Sequence, residues 1–195
     1  MNNLSDINSA IKPVVDALEK MDIQYFIGGS VASSILGVPR TTIDVDLVAD
    51  IQSCHVSKLI EILGKEYYVE PSAIREAISR NSSFNMIHHL TCFKIDVFIL
   101  KRRIFDRISM QRRIRDSLDE QNPALEFCFA SPEDLLLNKL EWFKIGNCVS
   151  ERQWFDVLGI LRIQGNHLDC DYLEKWAEDL GVLDLLKKAE AEAVI

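Results

Sequence analysis

Residues that break regular structure are scarce in this chain: 8 glycines and 5 prolines among 195 residues. That scarcity excludes a fibrous or disordered polypeptide. Long hydrophobic runs are missing too. No stretch approaches the roughly 20 apolar residues that cross a bilayer as a helix, so no membrane partner is expected. The first residues, MNNLSDINSAIKPVVDALEK, lack the basic-then-apolar order of a secretory signal, which predicts a cytoplasmic protein. Basic charge is in deficit, with 22 lysines and arginines against 30 acids and a net charge of −8. A broad, nonspecific grip on nucleic acid needs the opposite balance. Cysteines do not come in close pairs. Cys54, Cys92, Cys128, Cys148 and Cys170 are odd in number and widely spaced, which excludes a disulfide framework or a zinc knuckle. They read as free, mostly buried thiols in a reducing compartment. The adjacent His88 and His89 would point to opposite faces of a strand, so they cannot share an ion.

What is present is a chain with 48% hydrophobic residues, enough for one domain with a buried core, or one domain plus a small appendage. Ile7, Ile11, Val14, Val15 and Leu18 recur at helical spacing, so residues 5–20 read as a helix with Ser5 as its cap. Residues 23–27 read as a buried strand ending at Gly28-Gly29, and 30–36 as a short helix stopped by Gly37 and Pro39. The alternation in Ile43–Val48 predicts another strand. Helices follow over 53–64 and from Pro71 to about Arg80, then strands near 83–90 and 92–100. The stretch 101–125 is polar and basic, and shows no clear period. Residues 126–130 suggest a last strand. Ser131-Pro132-Glu133-Asp134 is a strong helix start: a capping hydroxyl, proline in the first turn, and acids near the positive end of the dipole. That helix runs to about Ile145. Others follow over 151–163, 169–180 and 182–193, with Ser150 capping the first of them. The layout is α/β (α+β), a small mixed sheet flanked by helices, followed by a helical part. Residues 1–125 and 126–195 are the expected domains.

One stretch concentrates chemistry. Asp44 and Asp46 sit at i and i+2 of an apolar strand, so both carboxylates leave the same face. Bare carboxylates side by side repel, and a divalent cation such as Mg²⁺ or Mn²⁺ resolves that cost with hard oxygen ligands. Upstream, Gly28-Gly29-Ser30 follows a strand and opens a helix. The glycines let the backbone approach a ligand, and the helix start offers free N–H groups and a hydroxyl to a phosphate. Either feature alone is weak. A solvent-facing strand pair and a simple cap are the plain alternatives.

Their combination resembles the polymerase-beta-like nucleotidyltransferases, whose pattern is a hydrophobic strand, Gly-Gly/Ser, about a dozen residues, and Asp-x-Asp between apolar residues. That superfamily carries a third carboxylate on a later strand, and Asp96 in Lys94-Ile-Asp-Val-Phe-Ile-Leu100 matches it. The resemblance covers roughly residues 23–100 and implies the nucleotidyltransferase fold. A finer resemblance, Arg40-Thr-x-x-Asp-x-Asp-Leu47, is to nucleotidyltransferase-like toxins of type IV toxin–antitoxin and abortive-infection systems. Those relatives carry a helical lysine and then Arg-x-x-x-Asp, which Lys139 and Arg152 with Asp156 match. Gln153 stands where the relatives have an acid.

The resemblance implies transfer of a nucleoside monophosphate from an NTP to an acceptor hydroxyl on RNA, protein or a small molecule, releasing pyrophosphate. The phosphates would rest on Gly28, Gly29 and Ser30. Asp44, Asp46 and Asp96 would hold Mg²⁺ or Mn²⁺, and Asp96 would help deprotonate the acceptor. Lys139 would neutralise the triphosphate, oriented by Asp156. Arg40 and Thr41 would either contact nucleotide or only pin the turn after Pro39. A cognate antitoxin is the partner this likeness implies. The rival reading is a non-catalytic nucleotide- or RNA-binding module.

Three other features remain. Lys139 has core candidates around it (Leu135, Leu136, Leu137, Leu140, Phe143) and is expected on the rim or in solvent. Trp142, Trp154 and Trp176 read as core rather than base-stacking platforms. Between Lys101 and Arg115, seven basic residues face one acid, Asp106. This run reads either as a solvated face or, because it follows the strand bearing Asp96, as a patch for triphosphate or RNA.

Overall fold

The apolar stripe at helical spacing does form the first element. In the computed structural model, which describes residues 4–118 and 123–193, α1 spans Leu4–Lys20 and buries Ile7, Ile11, Val14, Val15 and Leu18. The Ser5 side chain lies outside the described residues. The elements continue as β1 (Tyr25–Ile27), α2 (Gly29–Leu36), β2 (Asp44–Ala49), α3 (Val56–Leu63), β3 (Tyr67–Tyr68), α4 (Pro71–Arg80), β4 (Ser83–His88) and β5 (Lys94–Ile99). After these come α5 (Ile104–Arg112), β6 (Ile114–Ser117), β7 (Glu126–Phe129), α6 (Pro132–Ile145), α7 (Glu151–Gln164), α8 (Cys170–Asp179) and α9 (Leu183–Ala193). The expected helix over 53–64 begins as a 3-10 turn, Ser53–His55, before α3.

The strands form one sheet in the order β3-β4-β5-β2-β1-β7-β6. Two neighbouring pairs, β2 with β5 and β1 with β7, run parallel, and the others run antiparallel. The fold class is therefore the mixed α/β arrangement expected from sequence. Period-two alternation sets the two faces of the sheet. Val45, Leu47 and Ala49 on β2, Ile95, Val97 and Ile99 on β5, and Phe84 and Met86 on β4 are all buried. Helices α1, α3 and α4 pack in the same part of the molecule, and Tyr67 Oη donates to the Ala10 carbonyl at 2.7 Å. Truncating Leu47 to alanine in such a core costs about 2–5 kcal/mol.

The chain divides into two compact units. One comprises residues up to Val31 with Thr41–Phe129, and the other Ala32–Arg40 with the chain from Ala130 onward. In the second unit Ser131 caps α6, accepting from the Asp134 N–H, and Ser150 caps α7 through the Gln153 N–H. Gly37 and Gly159 let two backbones meet: a Cβ on Gly37 would lie 3.0 Å from Gly159 C, and one on Gly159 would lie 3.1 Å from Val38 N. Gln164 Nε2 also donates to the Leu36 carbonyl at 2.8 Å.

Two expectations are corrected. The cysteines are free, but only Cys128 is buried, because the other four fall in turns or at exposed element ends. Trp176 is in the core, whereas Trp142 is 49% exposed and Trp154 only half-buried, its ring against Phe143 and under the Lys188 ammonium. The region 101–125 contains a helix and a strand. α5 buries Phe105, Ser109 and Met110 while Ile104 is exposed, so no clean apolar stripe marks it in the sequence.

Candidate active site

The half-buried face of the central strands carries the acids. Asp44 and Asp46 leave β2 on the face opposite Val45 and Leu47, and Lys94 and Asp96 do the same on β5. The parallel register sets Asp44 beside Lys94 and Asp46 beside Asp96. Adjacent strands lie about 4.8 Å apart, so the Asp46 and Asp96 side chains are direct neighbours. From the other side Asn85 on β4 stands opposite Asp96. The Thr42 hydroxyl donates to Asp44 Oδ1 at 2.9 Å.

The glycine turn abuts this row. Gly28 N–H donates to the Asp46 carbonyl at 2.9 Å. Gly29 has φ +55°, in the left-handed region, and a Cβ there would lie 1.7 Å from Asp46 Oδ2. Only glycine fits, for both conformational and steric reasons. Ser30 follows in the first turn of α2, half-buried. The structure thus brings together Gly28, Gly29, Ser30, Asp44, Asp46 and Asp96.

Sequence reasoning missed Lys94. Its Nζ lies 2.7 Å from Asp96 Oδ2. That hydrogen bond pushes the ammonium above its usual range. Desolvation opposes the rise, and the charges of Asp96, Asp44 and Asp46 add to it. The available signal was position: in an alternating strand, the residue two before Asp96 must share its face. Thr42 and Asn85 were missed as well: Thr42 lies two residues before Asp44, the same signal as for Lys94, whereas nothing local marks Asn85 as a neighbour of Asp96.

Among the described residues, no group of three His, Cys, Asp or Glu side chains is drawn together as a metal cage. The donor chemistry nonetheless fits a hard divalent cation, with three carboxylates on one face of two adjacent strands. An ion bound there would compete with Lys94 for Asp96.

In the second unit, Arg40, Lys139 and Asp156 form one ion cluster. Arg40 grips Asp156 in a two-pronged contact, Nε to Oδ1 at 2.7 Å and Nη2 to Oδ2 at 3.0 Å. Lys139 Nζ reaches Asp156 Oδ2 at 2.5 Å. Ser34 Oγ binds both the Arg40 carbonyl and its N–H, fixing the turn after Pro39. Burial pushes the Asp156 carboxyl up, but the Arg40 hydrogen bonds and the Lys139 ammonium outweigh it and hold it below the usual carboxylate range. Lys139 is 4% exposed, not on the rim or in solvent as expected, because Asp156 supplies the countercharge that permits burial. Arg152 is exposed, and Thr41 is exposed at the start of the loop before β2.

The basic run does not lie beside the acids. Asp96 is near the start of β5 and Lys101 follows its end, so roughly 13–17 Å of extended chain separates them. Nor is the run one uniform face. Arg103 is paired with Asp106, Arg113 donates to the Met110 carbonyl, and Arg115 reaches Glu19.

No family model matches the chain, and no curated protein matches it in sequence. Solved structures do share its architecture. An antigenic nucleotidyltransferase-like protein from Paracoccidioides brasiliensis aligns with TM-score 0.53 and 16% identity, over 95% of this chain and 94% of its own. The antibiotic-resistance factor ANT(2'')-Ia aligns with TM-score 0.52 and 13% identity, over 98% and 96%. At such identities the likeness defines the fold, and the chain has the nucleotidyltransferase fold.

Proposed function

We propose that the protein is a nucleotidyltransferase that moves a nucleoside monophosphate from an NTP to an acceptor hydroxyl. The observation that carries this reading is the register of Asp46 with Asp96, beside a left-handed Gly29 that admits no side chain. The acceptor oxygen forms a bond to the α-phosphorus, the bond to the β-phosphate oxygen breaks, pyrophosphate leaves, and the acceptor proton passes to Asp96. Gly29 and Ser30 cradle the phosphates with backbone and a hydroxyl, while Gly28, its N–H held by the Asp46 carbonyl, sets the turn against the acids. Asp44, Asp46 and Asp96 would hold Mg²⁺ or Mn²⁺, which supplies positive charge at the attacking and leaving oxygens. Arg40, Lys139 and Asp156 are given a structural role: their ion cluster holds the turn after Pro39 in place.

The likeness of Arg40–Leu47 to toxin–antitoxin nucleotidyltransferases makes RNA the first acceptor to assay. The shared fold of the antibiotic-resistance factor makes small-molecule hydroxyls the second. The purified protein is incubated with each labelled NTP, Mg²⁺ or Mn²⁺, and RNA, antibiotics or itself as acceptor. Label transfer that disappears in Asp44→Ala and Asp46→Ala supports the enzyme. Failure to bind any NTP at millimolar concentration overturns it. The Lys94–Asp96 ion pair favours the second reading, a non-catalytic nucleotide-binding module. Binding without transfer to any acceptor selects that module.

A further inference from the structure

At the far end of β2 and β5 from the acids lies a cavity of about 720 Å³. Four residues of extended strand, about 13 Å, separate Asp46 from Asp50 and Asp96 from Leu100, both of which line it. Its walls come from the chain after β2, the end of α4 at Asn81, the chain after β5, and α5. Three of the seven basic residues between Lys101 and Arg115 line it: Lys101, Arg102 and Arg107, all exposed. Among the described residues, no carboxylate lies within ion-pair distance of these three side chains, in contrast to Arg103 and Arg115. Among the described residues, Asp50 is the single acid in the lining.

We propose that this cavity is a second, metal-independent site for a phosphate-bearing ligand of nucleotide size. Three cations gathered in one concavity repel one another, and an anion with several charges relieves that repulsion. The volume falls in the range of about 300–1,000 Å³ that accommodates small organic ligands, far more than a lone inorganic phosphate fills. The carboxamide of Asn81 and the carboxylate of Asp50 add donor and acceptor groups suited to a base or sugar. The acid row binds phosphate through a divalent ion, whereas this cavity binds it through lysine and arginine directly. Chelation therefore separates the two sites.

The full chain is titrated in excess EDTA with two probes, ATP and a short 5′-phosphorylated RNA, by calorimetry. The expected result is saturable binding of at least one probe that weakens about tenfold in Arg107→Gln and again in Lys101→Gln/Arg102→Gln. Binding in Asp44→Asn remains unchanged. The bound probe also slows alkylation of Cys54, which lines the cavity, relative to Cys92, which does not. ATP binding identifies a free nucleotide as the ligand, and RNA binding without ATP binding identifies a nucleic-acid phosphate. The proposal is overturned if neither probe saturates at millimolar concentration, if Arg107→Gln binds as tightly as the parent, or if Asp44→Asn abolishes binding in EDTA. Loss of NMP transfer alone leaves all of these readings intact, because none of them requires turnover.

Discussion

The molecule uses aspartate in two opposite ways. Asp44, Asp46 and Asp96 stand half-buried in a row, with Lys94 reaching only Asp96. Asp156 is 3% exposed and bound by both Arg40 and Lys139. One arrangement sets three carboxylates beside one lysine, and the other sets one carboxylate between two cations. A carboxylate kept for a ligand must accept repulsion from its neighbours, while one kept for structure must have its partners built in. The difference also separates the consequences of mutation, activity at the first place and stability at the second.

The largest effect is expected at Asp156. Asp156→Ala removes the buried carboxylate that Arg40 and Lys139 share and should cost about 3–5 kcal/mol, measured by urea unfolding. A loss below about 1 kcal/mol would show that the cluster is not structural. The depressed carboxyl of Asp156 sets the pH dependence. Its contribution is fully present above the ordinary value of 3.8 and is lost as pH falls through its lower folded value. The parent's stability should therefore fall in this acid range more steeply than that of Asp156→Asn.

At the acid row the contrast reverses. Asp46→Asn should reduce label transfer by about 10²–10³-fold. Its Tm should change little, because the half-buried carboxylate is replaced by an amide of the same size. A cooperative loss of stability in this variant would erase the distinction between the two sites. Gly29→Ala is expected to do some of both. The left-handed backbone costs about 1–2 kcal/mol, and the new methyl forces the Asp46 carboxylate aside, so transfer falls with a modest drop in Tm. Wild-type activity in Gly29→Ala would remove the glycine turn from the site.

The smallest effect concerns Lys94. Lys94→Met frees Asp96 and should tighten Mn²⁺ binding about two- to fivefold, read by calorimetry. Weaker binding would mean that Lys94 orders the row rather than competing for it.

Much of this was legible in advance. β2 and β5 alternate strictly, so the shared face of Asp44 and Asp46 follows from period two, whereas the candidacy of Asp96 rests on the family resemblance. The helix starts at Ser131 and Ser150 were equally plain, because capping is a local interaction. Harder to see were elements without a local signal. β3 is two residues long, and α5 mixes an exposed Ile104 with a buried Ser109. The burial of Lys139 was also hard to see, because it depends on how closely Asp156 on α7 approaches it.

Sequence by itself determined the periodicity, the caps, the glycine turn and the face on which each strand acid projects, all set by bonds and sterics within a few residues. Tertiary structure alone decided the pairing of charges. Arg40 meets Asp156 across 116 residues of chain, and Asp46 meets Asp96 through strand register. Electrostatic energy depends on distance and burial, and neither is a property of the linear chain.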